Sequence, residues 1–489
     1  MAYQNLSSFI GRLEDDGDIV RVAAQVDPAC EIAEITRRVC ASADGGPALF
    51  FEDVKGSTIP VVTNLLGSER RLCKALGAES FDHVAQRIAA ILQPDLPAGL
   101  IEGLKLVPRL SQVTKIPPRS VKSGDCQQVV KIGRDVKLSE LPVVHAWPQE
   151  AAATITMGQV YTRDPKSGRS SVGMYPLEVR DQSSLAVHWN AHDAGWQTYE
   201  HYRRDGRQMP VAVALGGDPV LTYTAFAPLP HTTDACLFAG FLRGDNVELV
   251  KCRSVDLEVP ADVEIVIEGM IDTSSRLEPG SLVAAPTGYY AMAGDAPVLK
   301  VTALTHCSNP VYPALILGGP RTESYWLGKA NERIFLPLMR MFVPELVDLH
   351  MPRAGVFRNL AFASIEKQYP QQARKVMNAL WGLDGLMLTK IIVVVDSDVD
   401  VHDEERVWLT VGANVHPGRD VLFCEGPTHM DDHAAPERGM GHKLGIDATR
   451  KLPEEGHPRR WPPQLAMNPE IVELVTRRWD EYGIRNRDR

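Results

Sequence analysis

The chain has 489 residues, of which 44% are hydrophobic and 23% are charged, and its formal net charge is −10. This length exceeds what one hydrophobic core usually serves, so we expect about two to four domains in a globular protein. The charged residues form no basic block that would neutralise phosphates in a groove, which excludes nucleic acid as an expected partner.

Cysteine usage and hydropathy indicate the cellular setting. The eight cysteines include no C-x-x-C pair, so neither a disulfide framework nor a zinc ribbon is indicated. No stretch reaches the ~18 consecutive apolar residues of a membrane span. The polar, acidic N-terminus MAYQNLSSFIGRLEDDG lacks the plan of a signal peptide. We therefore expect a cytoplasmic protein without a membrane span.

The first predicted elements mix helix and strand. Asp27 and Pro28 precede an apolar stripe at helical spacing within residues 31–39, which predicts a helix capped near Asp27. The runs 47–54 and 59–67 are rich in β-forming residues and bounded by glycine or proline, which predicts strands. We therefore predict an N-terminal α/β domain over residues 1–115.

Short strands separated by turn residues dominate the middle of the chain. The pattern recurs in segments 153–162, 172–179, 183–189, 209–216, 263–271 and 296–304. Such regularly spaced short strands are typical of a meander or a barrel. We predict a β-dominated domain over residues 116–318.

Helical patterns return after residue 320. They occupy residues 330–342 and 371–383 and are followed by the apolar run 390–396, which has the length of a buried strand. This predicts a C-terminal α/β domain over residues 319–489. Asn468 opens a terminal amphipathic helix, which either docks on its own core or reaches a neighbouring subunit.

Two segments resemble metal sites but have simpler interpretations. The acidic run 396–405 begins like a calcium loop, yet Val401 and Val407 stand where glycine and a bidentate glutamate are needed. It therefore predicts a turn that caps the following helix. His429 and His433 have the spacing of zinc ligands on a helix, but neighbouring prolines favour a surface loop.

Three further features remain open on the residues alone. The glycine-rich segment 439–449 around Lys443 suits either an anion-binding loop or a tight loop before a helix capped near Asp447. His192 follows an alternating strand and is either structural or a ligand at a cleft. Glu278 is either a turn residue or, if buried beside a cofactor, a proton donor with a raised pKa.

A collinear series of segments resembles the UbiD family of flavin-dependent decarboxylases. Its best-matched run is 248–271, ELVKCRSVDLEVPADVEIVIEGMI, and the others are 26–39, 45–56, 140–158, 210–219, 367–382 and 441–451. The series spans essentially the whole chain in order. The resemblance implies a mixed α+β and α/β multi-domain fold with a central flavin-binding split β-barrel, assembled as a homodimer or hexamer.

The resemblance also implies chemistry. Family members use prenylated FMN with a divalent metal, usually manganese, and potassium nearby, and remove CO2, in some cases reversibly, from aromatic or α,β-unsaturated carboxylic acids. Carried over by position, the expected cofactor contacts are Thr156, Ser171, Gly173, Met174, His192 and Lys443. The expected metal ligands are His192 and Asp234, and Glu278 is the expected proton donor.

Several positions depart from the family pattern. Ser171 and Pro176 replace an asparagine and an arginine, Ala235 and Ala285 stand where acids are expected, and Asn414 replaces an arginine. These replacements support a second hypothesis, a catalytically inactive or accessory UbiD-like subunit of a carboxylase complex. The first hypothesis predicts CO2 release by this chain alone, whereas the second predicts a partner and no turnover without it.

Overall fold

The computed structural model of the protein describes residues 3–92, 116–230 and 233–484. Within these ranges the helices are α1 (Leu6–Asp15), α2 (Glu31–Cys40), α3 (Glu69–Ala75), α4 (Phe81–Leu92), α5 (Ala194–Arg204), α6 (Pro219–Phe226), α7 (Ala235–Arg243), α8 (Glu323–Ile334), α9 (Leu336–Phe342), α10 (Gln372–Trp381), α11 (Glu404–Asn414), α12 (Pro417–Asp420) and α13 (Pro469–Arg477). None of them is long and apolar enough to cross a membrane.

The strands of the same ranges are mostly short. They are β1 (Ile19–Val22), β2 (Ala48–Phe51), β3 (Val61–Thr63), β4 (Arg119–Val121), β5 (Val129–Ile132), β6 (Thr154–Ile155), β7 (Gln159–Arg163), β8 (Ser170–Met174), β9 (Leu177–Asp181), β10 (Ser184–Val187), β11 (Met209–Leu215), β12 (Glu248–Lys251), β13 (Glu258–Pro260), β14 (Ile265–Ile271), β15 (Leu282–Ala284), β16 (Tyr290–Met292), β17 (Val298–His306), β18 (Tyr312–Ala314), β19 (Leu346–His350), β20 (Leu360–Ile365), β21 (Ile391–Asp396), β22 (Val421–Pro427) and β23 (Met440–Asp447).

The N-terminal region forms a small mixed sheet in the order β1-β2-β3-β18. Its last strand comes from the end of the middle region and pairs in parallel with β3, so the two regions share one sheet. The predicted helix α2 is present, but its N-cap is Cys30. The side chain of Asp27 instead accepts a hydrogen bond from the Ala29 amide at 2.9 Å.

The middle region is built on a nine-stranded sheet in the order β6-β9-β10-β17-β14-β11-β7-β8, with β5 paired to β17. Alternate residues of β11 enter different cores. Val211, Val213 and Leu215 pack in one cluster, and Ala212 and Ala214 in another, because successive side chains of a strand point to opposite faces. The small alanines belong to the face covered by helices, where α6 packs on β7 and β8.

The C-terminal region is a five-stranded sheet in the order β19-β20-β21-β23-β22. Helix α10 packs on β21 and β23, while Val407 of α11 belongs to the core on the opposite face. The acidic run behaves as predicted, because β21 ends at Asp396 and Asp403 caps α11 by accepting from the Arg406 amide at 2.9 Å.

Two C-terminal predictions need correction or refinement. The segment around Lys443 is not a loop before a helix but the strand β23, which pairs with both β21 and β22. Pairing on two sides outweighs its glycine content, since strand stability depends on neighbours more than on propensity. Helix α13 is capped by Asn468 as predicted, yet none of its residues is buried against the described part of the chain.

Glu323, at the start of α8, joins the N-terminal and C-terminal regions. Its side chain is fully buried, and one carboxyl oxygen accepts a hydrogen bond from the Leu66 amide at 2.5 Å. Burial raises the pKa of Glu323 to about 7, because the charged form loses its hydration. This contact therefore makes the junction between the two regions sensitive to pH.

We expect Glu323→Gln to remove part of the pH dependence of stability. Between pH 4.5, the usual pKa of the group, and about pH 7, the carboxyl of Glu323 keeps its proton in the folded protein but loses it in the unfolded chain. The free energy of unfolding therefore falls as the pH rises across this range. Glutamine keeps the acceptor but does not ionise. The variant should be about 1–3 kcal/mol more stable than the wild type at pH 8 and similar to it at pH 4. Urea denaturation at both pH values measures the difference, and an equal difference at both would contradict it.

Candidate active site between the barrel and the C-terminal region

A cavity of about 820 Å³ lies between the nine-stranded barrel sheet and the C-terminal region. The barrel side contributes residues of β8 and of the segment after β10, and the C-terminal side contributes 357–358, 384–388 and 429–431. This volume is within the range of small-molecule and cofactor sites, about 300–1,000 Å³. The junction of the middle and C-terminal regions therefore contains a cavity of suitable size for a ligand.

The barrel wall presents a helix N-terminus beside His192. Asn190, His192, Asp193 and Ala194 all line the cavity, and Asp193 is the N-cap of α5. The Asp193 carboxylate accepts from the backbone and side-chain amides of Asn190, at 2.6 and 3.1 Å, which holds the turn before the helix. The positive end of a helix together with an imidazole suits an anionic group such as a phosphate.

A buried carboxylate supports the barrel wall from behind. Glu178 accepts hydrogen bonds from His188 Nε2 at 3.1 Å, Arg180 Nη1 at 3.0 Å and Ser281 Oγ at 2.6 Å. Burial alone would raise the pKa of Glu178, but the hydrogen bonds from His188 and Ser281 and the charge of Arg180 lower it below its usual value. Since His188 lines the cavity, Glu178 fixes the orientation of a site residue.

The opposite wall carries a second polar group. Arg358 Nη1 donates to His429 Nδ1 at 3.2 Å, and Arg358 Nη2 donates to the Asp431 carboxylate. All three residues line the cavity. The pKa of His429 is held well below its usual value by burial and by the positive charges of Arg358, His192, Lys390 and Lys443. The imidazole is therefore neutral at pH 7.

Residues 429–433 form a loop as predicted, but this loop does not lie wholly on the surface. His433 is exposed and lies against Tyr289, with ring centroids 4.4 Å apart, but His429 is turned into the cavity. Arg358 and Glu178 were not predicted from the sequence. A charged residue within the apolar pattern of β9 was the one available signal for Glu178, and no local signal distinguishes Arg358.

The structure brings four of the residues predicted for the site to this cavity: Thr156, Gly173, Met174 and His192 line it. Lys443 lies one layer behind, because its buried ammonium donates to the carbonyl of Met387, which is itself a lining residue. Pro176 also lines the cavity, so the wall has no cation at this position.

The other three predicted residues are not among the lining residues. Ser171 shares a hydrogen bond of 2.7 Å with Thr162. Asp234 caps α7 by accepting from the amides of Cys236 and Leu237, at 2.7 and 3.1 Å. Glu278 is half-buried and forms an ion pair with Arg180, 3.2 Å from its Nε.

A separate group of possible metal ligands consists of Glu332, His350 and His402, whose ligand atoms lie within 4.8 Å of one another. Lys329 Nζ already lies among them, 2.6 Å from Glu332 Oε1 and 2.7 Å from His350 Nδ1. Because an ammonium group donates only, His350 Nδ1 is the acceptor. In this arrangement the lysine takes the position of a cation beside Glu332, which also lines the cavity.

Comparison with known proteins identifies the family. Residues 10–91, 119–320 and 325–448 match the N-terminal, Rift-related and C-terminal domains of UbiD, 3-octaprenyl-4-hydroxybenzoate carboxy-lyase. The chain belongs to the UbiD family. It is 44% identical over 482 residues to an uncharacterized protein of Aquifex aeolicus and 41% identical over 491 residues to one of Archaeoglobus fulgidus, with 99% of each chain covered.

Solved UbiD-class structures share the whole architecture. The closed form of vanillic acid decarboxylase from Sedimentibacter hydroxybenzoicus is 27% identical, with a TM-score of 0.85 over 99% of this chain and all of that chain. The open form of the same enzyme gives a TM-score of 0.76 over 99% of both chains. HmfF from Pelotomaculum thermopropionicum, in complex with prenylated FMN, is 28% identical to this chain. Its TM-score is 0.77 over 96% of this chain and 98% of the HmfF chain. The predicted family and fold class are confirmed, and the TM-score is higher for the closed form than for the open form of vanillic acid decarboxylase.

Proposed function

We propose that this UbiD-family protein is a non-oxidative decarboxylase, a reversible carboxy-lyase that acts on an aromatic or α,β-unsaturated carboxylic acid with prenylated FMN. The observation that carries the proposal is the cavity between barrel and C-terminal region, lined by Thr156, Gly173, Met174 and His192. Further support comes from the related HmfF structure, which contains prenylated FMN. A homodimer or a hexamer belongs to the same proposal.

The cavity fits a flavin nucleotide in size and in polar groups. The N-terminus of α5 beside His192 suits the phosphate. Four lining side chains, His188, Trp189, Asn331 and Arg358, have a buried polar atom without a hydrogen-bond partner among the described residues. Buried polar atoms are normally satisfied, so these are available to a polar ring system. When bound, prenylated FMN supplies an electron sink for the electrons that remain when CO2 leaves.

The chain itself would bind, orient and protonate the substrate. The apolar walls exclude water and the polar groups at either end fix the orientation. A proton must reach the substrate carbon after CO2 leaves. Glu278 stays a sequence-based prediction for this donor, since it pairs with Arg180 outside the cavity lining. Glu150 and Asp384 are acids that do line the cavity.

A cation at the phosphate is part of the proposal. His192 is the predicted ligand that lines the cavity, and it stands beside the helix N-terminus where we place the phosphate. Manganese and potassium remain predictions from the family resemblance. Asp234 would need a different backbone position to join His192, because its carboxylate accepts from the amides of Cys236 and Leu237 at the start of α7.

An accessory subunit of a carboxylase complex is the second candidate function. Pro176 favours it, because this residue lines the cavity without the charge or donor of the family's arginine. The two candidates share the fold and differ in whether this chain alone releases CO2.

Anaerobic reconstitution with prenylated FMN tests the proposal. Absorbance and native mass spectrometry show whether the flavin is retained. Release of CO2, or exchange of ring and vinyl protons for solvent deuterium, is then measured for a panel of aromatic and unsaturated acids that includes vanillate. Flavin retention with turnover supports the decarboxylase. Retention without turnover, together with a co-purifying subunit that restores turnover, favours the accessory role. Failure to retain flavin contradicts the decarboxylase.

A further inference from the structure

A group of side chains beside the cavity has the arrangement of a metal site. It combines one carboxylate and two imidazoles, from Glu332, His350 and His402, with ligand atoms within 4.8 Å of one another. We propose that these three residues bind a divalent transition-metal ion of the zinc type, in exchange for the ammonium of Lys329. The site is separate from the cation expected at His192, and the inference goes beyond the proposed function without depending on it.

Three different elements supply the ligands. Glu332 lies in the last turn of α8, His350 ends β19 and His402 lies in the turn before α11. Glu332 and His350 are almost fully buried, whereas the His402 side chain is 37% exposed and gives an ion a path from solvent. Bound there, the ion would hold α8, whose Glu332 lines the cavity, against the C-terminal sheet.

His402 has a carboxylate at one ring nitrogen, which leaves the other nitrogen for an ion. Its Nε2 lies 3.1 Å from Asp348 Oδ2 and 3.3 Å from Arg333 Nη1. The guanidinium already donates to the other oxygen of Asp348. Nε2 therefore donates to the nearer group, the carboxylate, and Nδ1 keeps its lone pair.

His350 shows the same division of roles. Its Nδ1 accepts a hydrogen bond from Lys329 Nζ at 2.7 Å, so the neutral ring carries its proton on Nε2. This buried Nε2 has no hydrogen-bond partner among the described residues, and Oε1 of the half-exposed Glu404 is 3.6 Å away. Histidines that bind metals usually donate their second N–H to a carboxylate, carbonyl or water. Both imidazoles are therefore in the tautomer that ligation requires.

The ammonium of Lys329 marks the position of the ion. Nζ lies 2.6 Å from Glu332 Oε1 and 2.7 Å from His350 Nδ1, and these two ligand atoms are 3.8 Å apart. Ligand atoms bonded at about 2.0–2.2 Å to a tetrahedral ion lie about 3.3–3.6 Å apart, so these two need to contract slightly and His402 by up to about 1.5 Å. One carboxylate with two imidazoles suits zinc and its first-row neighbours, whereas magnesium and calcium prefer oxygen ligands.

Zinc titration of the full-length, tag-free protein in reducing buffer, with and without FMN, tests the proposal. Competition with a chromophoric chelator should show one Zn²⁺ bound per chain, and His402→Gln should weaken zinc binding at least about tenfold. Lys329→Met removes the competing ammonium and should tighten zinc binding at least about tenfold. Lys74→Met is the matched control, because Lys74 has a similar exposure, 22% against 16% for Lys329, and pairs with Asp18 at the same distance of 2.6 Å. This control should stay within about twofold of the wild type.

Cobalt gives a spectroscopic check on the ligands. Co²⁺ bound by nitrogen and oxygen should show visible d–d absorption without the near-ultraviolet charge-transfer band of a cysteine thiolate. The visible absorption should be lost in His350→Gln and in His402→Gln. Should the buried His350 variant not fold, His402→Gln decides, because its position is exposed. His201→Gln, at 31% exposure, should keep the absorption of the wild type.

Several results would overturn the proposal. One is zinc binding that His402→Gln leaves unchanged, and another is binding that disappears in His192→Gln, which would place the ion at the cavity wall instead. A thiolate charge-transfer band would assign the ion to cysteine. An unchanged affinity in Lys329→Met would contradict the exchange with the ammonium. Binding by Lys329→Met but not by the wild type would make the lysine the permanent cation of this site.

Discussion

Replacement of His192 by glutamine is expected to weaken FMN binding by about 10–100-fold, the effect of losing a charge-assisted hydrogen bond or a metal contact to the phosphate. His192 lines the cavity beside the N-terminus of α5, and no arginine or lysine of the described lining lies on that wall to replace it. Turnover at limiting flavin should fall by at least the same factor. Fluorescence titration with FMN and decarboxylation of an identified substrate measure the two effects.

His201→Gln is the matched control for this variant. His201 lies on α5, has a similar side-chain exposure, 31% against 34% for His192, and bonds to Asp164 at 3.1 Å. His201 does not line the cavity. We therefore expect the His201→Gln variant to bind FMN with an affinity within about twofold of the wild type. Equal losses in both variants would mean that the effect is general destabilisation and would contradict the role of His192.

Replacement of Glu178 by alanine is expected to cost about 3–5 kcal/mol of unfolding free energy, as for the removal of one partner from a buried charged group. The carboxylate is almost fully buried and satisfies His188, Arg180 and Ser281 together. Its loss leaves these donors without an acceptor in the barrel wall. Chemical denaturation at neutral pH measures the cost, and a loss below about 1 kcal/mol would contradict this account.

Glu178→Gln separates charge from hydrogen bonding at the same position. The amide keeps one acceptor oxygen but loses the charge opposite Arg180, so we expect an intermediate loss. The pH dependence gives a second check. Because the folded pKa of Glu178 lies below its usual value of 4.5, its contribution is complete above pH 4.5 and is lost as the pH falls through the folded pKa. The stability difference between the wild type and the alanine variant should therefore be smaller in acid than at neutral pH.

The two walls of the cavity differ in what their residues are suited to bind. The barrel wall has a helix N-terminus and His192, and the C-terminal wall has Arg358, His429 and Asp431. Apolar side chains such as Phe226 and Phe357 also line the cavity. The closer similarity to the closed than to the open form of vanillic acid decarboxylase, TM-scores 0.85 and 0.76, agrees with a cavity enclosed by both regions.

The sequence alone determined the features that depend on neighbours along the chain. Alternating apolar residues predicted β11 and β14, acidic caps predicted the start of α11, and the collinear series ending at 441–451 predicted the family and fold class. These signals are local because strand and helix periods, and the hydrogen bonds of a cap, involve residues only a few positions apart.

Only the tertiary structure decided which charged residues meet at the cavity. Arg358 and His429 are 71 positions apart, and their contact depends on how the loop between β22 and β23 reaches the segment before β20. Asp234 and Glu278 match or nearly match family positions, yet their side chains are engaged with α7 and Arg180. The direction of a side chain at a domain junction follows from docking and pairing between distant segments, which no local pattern in the sequence encodes.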